Sequence, residues 1–193
     1  MSAPLVAVLA GGSSTRMGTD KGLVELSGRT MLEWVAAAAG GVGEVLVVGR
    51  TAEPGGAEAI PDIEEGPPGP LRGLCTAFRH APGRRVLLLS VDQPWVRPET
   101  LAHLLARSSG WTTLPYDGGS RQVTCAVYPP DLAERAALTL VDSGSVQALL
   151  DSVEVDAVLE DQWRVWGEDG RSWYSANRPE DLDKGLGRFG PPG

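Results

Sequence analysis

The segment LVAVLAGGSSTRMGTDK, residues 5–21, decides how the rest of the chain is read. Leu5 to Ala10 is a short continuous apolar run, the pattern of a strand buried on both faces of a parallel sheet. Two adjacent glycines, Gly11 and Gly12, end it. In open α/β sheets ligands sit at the carboxyl ends of the strands, so the loop that follows lies where a ligand is expected. Its glycines let backbone N–H groups approach phosphate oxygens or a base closely, and Ser13, Ser14 and Thr15 add small donors. Arg16 and Lys21 then supply concentrated positive charge.

Two other phosphate-binding patterns are absent. Lys21 is preceded by Asp20 and followed by Gly22, so there is no G-x-x-x-x-G-K-[ST], and no G-x-G-x-x-G occurs. A P-loop ATPase and a dinucleotide-dependent dehydrogenase are both disfavoured.

Outward from this loop, Thr30 and Glu33 make a T-x-x-E capping box before an alanine-rich helix that Gly40-Gly41 stops. Val45 to Val48 reads as a second buried strand. Residues 51 to 69, rich in Pro, Gly and Glu, read as loop, and Leu71 to His80 as helix. Val86 to Val91 is the most apolar strand, followed by Asp92 and by a helix that Pro98 begins. This alternation predicts an α/β fold: a single-domain, Rossmann-like, open and mostly parallel twisted sheet with helices on both faces. Further on, Arg121 to Tyr128 and Val153 to Leu159 read as strands. Pro130 to Val141, Val146 to Leu150 and Pro179 to Leu186 read as helices, and 187–193 as a flexible tail.

Composition bounds the partners. With 193 residues and 42% hydrophobic content the chain can bury one full core. Its 17 basic and 25 acidic residues give a formal charge of -8, which argues against nucleic acid or an anionic membrane as partner. The N-terminal segment has no basic region, and its six-residue apolar run is too short for a signal-peptide core or a membrane span. Cys75 and Cys125 show no metal-ligand spacing and make no disulfide framework, so a reducing, cytoplasmic location is expected.

At residues 9–21 the chain resembles the molybdenum cofactor guanylyltransferases, within the wider group of glycosyltransferase-like nucleotidyltransferases. The family pattern L-A-G-G-x-S-x-R-M-G-x-D-K is matched at all ten of its fixed positions from Leu9 to Lys21. Relatives that use CTP tend to carry L-A-A-G, so Gly11-Gly12 favours guanine. The resemblance implies a glycosyltransferase-A-like fold, with residues 1–186 as one domain. Within it, about 1–110 would bind nucleotide and 111–186 the acceptor.

It also implies the reaction. A terminal phosphate of molybdopterin attacks the α-phosphorus of GTP, GMP is transferred and pyrophosphate leaves, with Mg2+ as cofactor. Leu9, Ala10, Gly11, Gly12, Ser13 and Lys21 become nucleotide contacts, with Arg16, Lys21 and Asp92 catalytic. Asp92, in Val91-Asp92-Gln93-Pro94, matches the family's metal-carrying aspartate at a strand end. Asp62 and the Gly69-Pro70-Leu71 turn match an aspartate and a G-P-L-x-G segment of the nucleotide pocket. Asn177 matches part of an N-x-N-T-P-E-E-L segment in which Ser175 and Arg178 depart from the pattern, and with Gln122 it is an acceptor-binding candidate. The implied partners are GTP, molybdopterin or molybdenum cofactor, and molybdoenzyme-maturation proteins.

Other readings stay open at this level. The acceptor could be different, as in a CTP-using pterin cytidylyltransferase or a sugar-1-phosphate nucleotidyltransferase. The chain could also be a guanine-nucleotide-binding module without chemistry, although Arg16, Lys21 and Asp92 together speak against that. His80 and His103 lie in helical stretches and read as structural, and Trp163, Trp166 and Trp173 read as packing.

Overall fold

The apolar run at the N-terminus forms β1 (Leu5–Leu9). A small hairpin of β2 (Glu25–Leu26) and β3 (Arg29–Thr30) leads into α1 (Met31–Gly40), β4 (Glu44–Val48) and β5 (Glu58–Ile60). Next come α2 (Pro70–His80), β6 (Val86–Ser90), α3 (Pro98–Arg107), β7 (Thr112–Asp117), β8 (Ser120–Arg121) and β9 (Cys125–Tyr128). The chain ends through α4 (Ala133–Asp142), α5 (Val146–Asp151), β10 (Val155–Val158), α6 (Glu160–Val165) and α7 (Pro179–Phe189). The structure, a computed structural model, describes residues 3–11, 20–51, 57–107 and 110–193.

The main sheet runs in the order β10-β7-β9-β6-β1-β4-β5, with β8 paired to β7. β1 pairs in parallel with β4 on one side and with β6 on the other. β9 is the antiparallel strand, inserted between β6 and β7, and β10 is parallel to β7. The expected open, mostly parallel sheet is therefore present.

Why β1 is apolar at every position follows from its two faces. Val6 and Val8 join one core cluster with Met31, Leu32 and Val35 of α1, while Leu5 and Ala7 join the other with Leu71, Leu74 and Phe78 of α2. Leu5, Val6, Ala7 and Val8 are all fully buried. Each buried aliphatic side chain of valine or leucine size contributes about 1.5–3 kcal/mol, so a polar residue anywhere in this strand loses on either face. The capping box before α1 also forms: Glu33 N–H donates to Thr30 Oγ1 at 3.2 Å, and Thr30 N–H donates to Glu33 Oε2 at 2.7 Å.

The structure differs from the sequence reading at several points, among them β7, which the sequence reading did not name. The segment read as loop at 51–69 contains β5, a three-residue edge strand parallel to β4. The strand expected over Arg121 to Tyr128 is split into β8 and β9 by a turn in which Cys125 N–H bonds Gln122 C=O at 3.1 Å. The terminal helix runs past Leu186 to Phe189, because Phe189 is buried with its ring 5.4 Å from Tyr174 and 6.1 Å from Trp95. Trp95 Nε1 then donates to Gly190 C=O at 2.8 Å, so the chain is tied down beyond the point where the tail was expected to begin. Among the described residues no helix is long and apolar enough to cross a membrane.

Candidate nucleotide-binding site

The connection order creates a crevice at the carboxyl end of β1. From β1 the chain crosses to β4 on one side, and later returns to β6 on the other. Such a reversal leaves the loops after β1 and its neighbours splayed apart, the place where doubly wound sheets bind ligands. A cleft of about 330 Å³ lies there, walled by the ends of β1, β4 and β6 and by the first turn of α2.

Most of the residues singled out in the sequence meet in this cleft. Leu9, Ala10 and Gly11 form its floor, Lys21 and Asp92 stand at one end, and Asp62, Gly69 and Pro70 line it as well. Leu71 does not reach it; its side chain is fully buried in the core under α2. Gly12, Ser13 and Arg16 lie outside the described residues.

Close backbone approach fixes the floor. Gly49, at the end of β4, has φ +93°, and a Cβ there would lie 2.5 Å from Gly11 Cα. Glycine is needed at Gly49 for both reasons: the left-handed backbone and the absence of room. Gly11 is equally tight from its own side, with a Cβ placed 3.0 Å from Gly49 Cα and 3.2 Å from Asp62 Oδ2. The two glycines thus let the strand ends converge and bring the Asp62 carboxylate against Gly11.

At the β6 end, Lys21 Nζ donates to Asn177 Oδ1 at 2.6 Å and lies 3.8 Å from Asp92 Oδ2. Asn177 is held for this by its surroundings. Its backbone N–H and that of Arg178 both donate to Asp181 Oδ2 at 3.0 Å, so Asp181 caps α7 and leaves the asparagine side chain to Lys21. Those donors, Asn177 N–H foremost, hold the Asp181 carboxyl below the usual aspartate range. Ala176 N–H donates to Asp92 C=O at 2.8 Å, joining the same segment to the strand end.

Asp92 has a further property. Its Oδ1 is buried and has no hydrogen-bond partner among the described residues. A carboxylate oxygen in that position suits a cation ligand better than a turn cap, since a cap is satisfied by the N–H it accepts. Among the described residues no group of three or more His, Cys, Asp or Glu side chains is arranged to hold a metal. Mg2+ does not require one, because it binds through one or two carboxylates and takes its remaining oxygens from phosphate and water.

Other residues of the site were not singled out in the sequence. Arg72, in the first turn of α2, lines the cleft with its guanidinium 3.7 Å from Asp62 Oδ2. Asp20 also lines it, capping the turn at Lys21 by accepting from Gly22 N–H at 2.9 Å and pairing with Arg50. Thr124 reaches the cleft, whereas Gln122 turns its amide to Ser120 C=O. The sequence carries no separate signal for Arg72, a single cation in a proline-rich stretch, until the first turn of α2 brings it beside Asp62.

The remaining candidates are structural in their placement. His103 stacks on Trp166 with ring centroids 4.9 Å apart, and His80 Nε2 lies 3.5 Å from Glu58 Oε2. Trp163 and Trp173 are buried edge to face at 5.2 Å. Cys75 and Cys125 are free, buried thiols, and burial pushes Cys75 up to about 11.

A family model described as "MobA-like NTP transferase domain" matches residues 6–158. The chain is 30% identical over 183 residues to the probable molybdenum cofactor guanylyltransferase of Pelotomaculum thermopropionicum, covering 92% of this chain and 89% of that one. It is also 30% identical over 182 residues to the molybdenum cofactor guanylyltransferase of Cereibacter sphaeroides, with 91% of each covered. In fold it matches the crystal structure of molybdopterin-guanine dinucleotide biosynthesis protein A from Archaeoglobus fulgidus. That match has a TM-score of 0.80 at 24% identity, over 94% of this chain and 96% of the other.

Proposed function

The chain belongs to the family of MobA-like NTP transferase domains, and from that membership we propose that it transfers GMP from GTP to the terminal phosphate of molybdopterin, releasing pyrophosphate. The observation that carries this reading is the meeting of Lys21 and Asp92 at one end of the cleft, 3.8 Å apart, beside the floor made by Leu9, Ala10 and Gly11. One fixed cation and one carboxylate with an unpartnered oxygen are what a triphosphate with its counter-cation calls for. The names of the relatives supply guanine and molybdopterin.

Chemically the step is an in-line exchange at phosphorus. An oxygen of the acceptor phosphate forms a bond to the α-phosphorus as the bond to the bridging oxygen breaks, and the electron pair leaves with pyrophosphate. A phosphate nucleophile is already ionised at neutral pH, so no general base is needed. The protein aligns two anions and neutralises the charge that grows on the leaving group. Lys21 does so from a position preset by Asn177, and Arg16 acts from the same loop. Asp92 would hold Mg2+, which supplies charge neutralisation on the phosphate oxygens.

Asn177 enters this reading as a residue that orients Lys21, rather than as the acceptor contact expected from the sequence. In this reading the contact between these two side chains joins a nucleotide half, about 1–110, to an acceptor half, about 111–186. The same reading sets the reaction in the cytoplasm and makes molybdoenzyme-maturation proteins the recipients of the product.

Pyrophosphate release from GTP, CTP, ATP and UTP, with and without molybdopterin at fixed Mg2+, tests the proposal. GTP with molybdopterin should be the productive pair. Equal release from all four nucleotides, or release that ignores the acceptor, contradicts it.

A further inference from the structure

The cleft has a second charged end that the transfer chemistry leaves unexplained. Asp92 follows β6, whereas Asp62 follows β5, and β1 and β4 lie between those two strands. The Asp62 carboxylate leans inward, its Oδ2 3.2 Å from a Cβ placed on Gly11, so the two aspartates face the cleft from opposite sides with the end of β1 between them. If the phosphates lie at Lys21 and Asp92, as the proposed function holds, the base lies at Asp62.

Here Arg72 faces Asp62 without being used by it. Their nearest atoms are 3.7 Å apart, beyond hydrogen-bond distance, and Arg72 Nε is buried with no partner among the described residues. Both side chains are about one-fifth exposed, so neither is a freely solvated surface charge. A further phosphate is a poor occupant for this end, because the Asp62 carboxylate would repel it. A group with donors and acceptors on adjoining edges is a good one. Guanine has that character: N1–H and the 2-amino group donate along one edge, and O6 and N7 accept along the next. Cytosine and adenine each present an amino donor where guanine presents O6.

We propose that Arg72 is a specificity-determining residue for guanine, its guanidinium donating to O6 and N7 while Asp62 accepts from N1–H and the 2-amino group. The loose pair, in which Asp62 Oδ1 takes only a long hydrogen bond of 3.3 Å from Thr76 Oγ1 and Arg72 Nε has no partner among the described residues, is then a preformed recognition site that a guanine completes with hydrogen bonds on both sides. Arginine suits this role because its planar fork donates two parallel hydrogen bonds, the arrangement by which guanine is read in nucleic acids. The inference rests on the proposed function for the direction in which the nucleotide lies.

Dissociation constants for GTP, 7-deaza-GTP and CTP, measured by calorimetry with Mg2+ on the wild type, Arg72→Ala and Arg72→Lys, test it. A bidentate contact of this kind is worth about ten- to a hundredfold in discrimination. Wild type should bind GTP more tightly than 7-deaza-GTP, which has carbon in place of N7, and more tightly than CTP. Arg72→Ala should weaken GTP by about that factor, leave CTP within about twofold and abolish the difference between GTP and 7-deaza-GTP. Arg72→Lys, which keeps the charge without the fork, should recover only part of the loss.

Equal weakening of GTP and CTP in Arg72→Ala would make Arg72 a phosphate contact and overturn the inference, as would unchanged GTP binding. Wild-type binding of GTP and 7-deaza-GTP with equal affinity overturns it without any variant. A wild type that does not prefer GTP to CTP contradicts the proposed function itself, which separates that failure from the others.

Discussion

Lys21 and Asp92 sit 3.8 Å apart with side chains less than one-fifth exposed, at a site where a triphosphate would add several negative charges. The lysine has two partners, Asn177 and Asp92, that fix its ammonium before any ligand arrives. Preorganised charge of this kind avoids reorganisation during the chemical step, which is why it contributes more there than in binding. Asp92→Asn keeps the shape and removes the anion. Nucleotide affinity should fall modestly, turnover should fall strongly, and half-maximal rate should need more Mg2+. Rate against Mg2+ concentration for variant and wild type checks this, and superimposable curves would reduce Asp92 to a turn residue.

Residues such as these were legible in the sequence because their spacing from a glycine turn or a strand end has a mechanism attached. Arg72 was not, because a single cation in a proline-rich stretch becomes informative only when the turn of α2 brings it to Asp62. Asn177 was read for its place in a motif, and the physical basis of its position, the capping of α7 by Asp181, needed the fold.

Among the elements, the ends of β1 and β4 converge so closely that the cleft depends on two glycines. Gly49 combines φ +93° with a would-be Cβ 2.5 Å from Gly11 Cα, whereas Gly83, at φ +77°, has open space around it. Gly83→Ala should therefore cost about 1–2 kcal/mol from backbone strain alone. Gly49→Ala should add overpacking to the same strain, about 1–3 kcal/mol more, and should also weaken nucleotide binding. Denaturant unfolding of the two variants side by side separates the terms, and equal losses would show that Gly11 can move aside.

At this scale, sequence periodicity found the elements buried on both sides. β1, β4 and β6 are continuous apolar runs, and that pattern has few alternatives. β5 is only Glu58–Ile60, at the sheet edge inside a stretch rich in Pro and Gly, too short to show a period. β7 contains Pro115, a residue that argues against a strand from sequence alone. It is tolerated because the pairing of β7 with β9 is registered at Thr113 and Val127, away from the proline that lacks an N–H.

For the molecule as a whole, the telling feature is how its last segment returns to its first loop. Asn177 meets Lys21 across 156 positions of sequence, and Ala176 N–H binds Asp92 C=O at 2.8 Å. The return is anchored where Trp95 is buried against Gly185, Tyr174 and Phe189, so the stability of α7 and the position of the lysine are coupled. No local pattern could have announced this, because the contact depends on the path of the entire chain.

If the site is a nucleotidyltransferase centre, Lys21 must act more strongly on the transition state than on bound GTP, since only that difference accelerates the step. Single-turnover transfer at saturating GTP, with thermal unfolding run in parallel, compares Lys21→Ala with the wild type. The expected result is a loss of about 10²–10³ in rate, the usual effect of removing one preorganised donor, with a fall in unfolding temperature of only a few degrees from the lost contacts to Asn177 and Asp92. A folded Lys21→Ala protein that saturates with GTP and transfers at the wild-type rate would contradict the account.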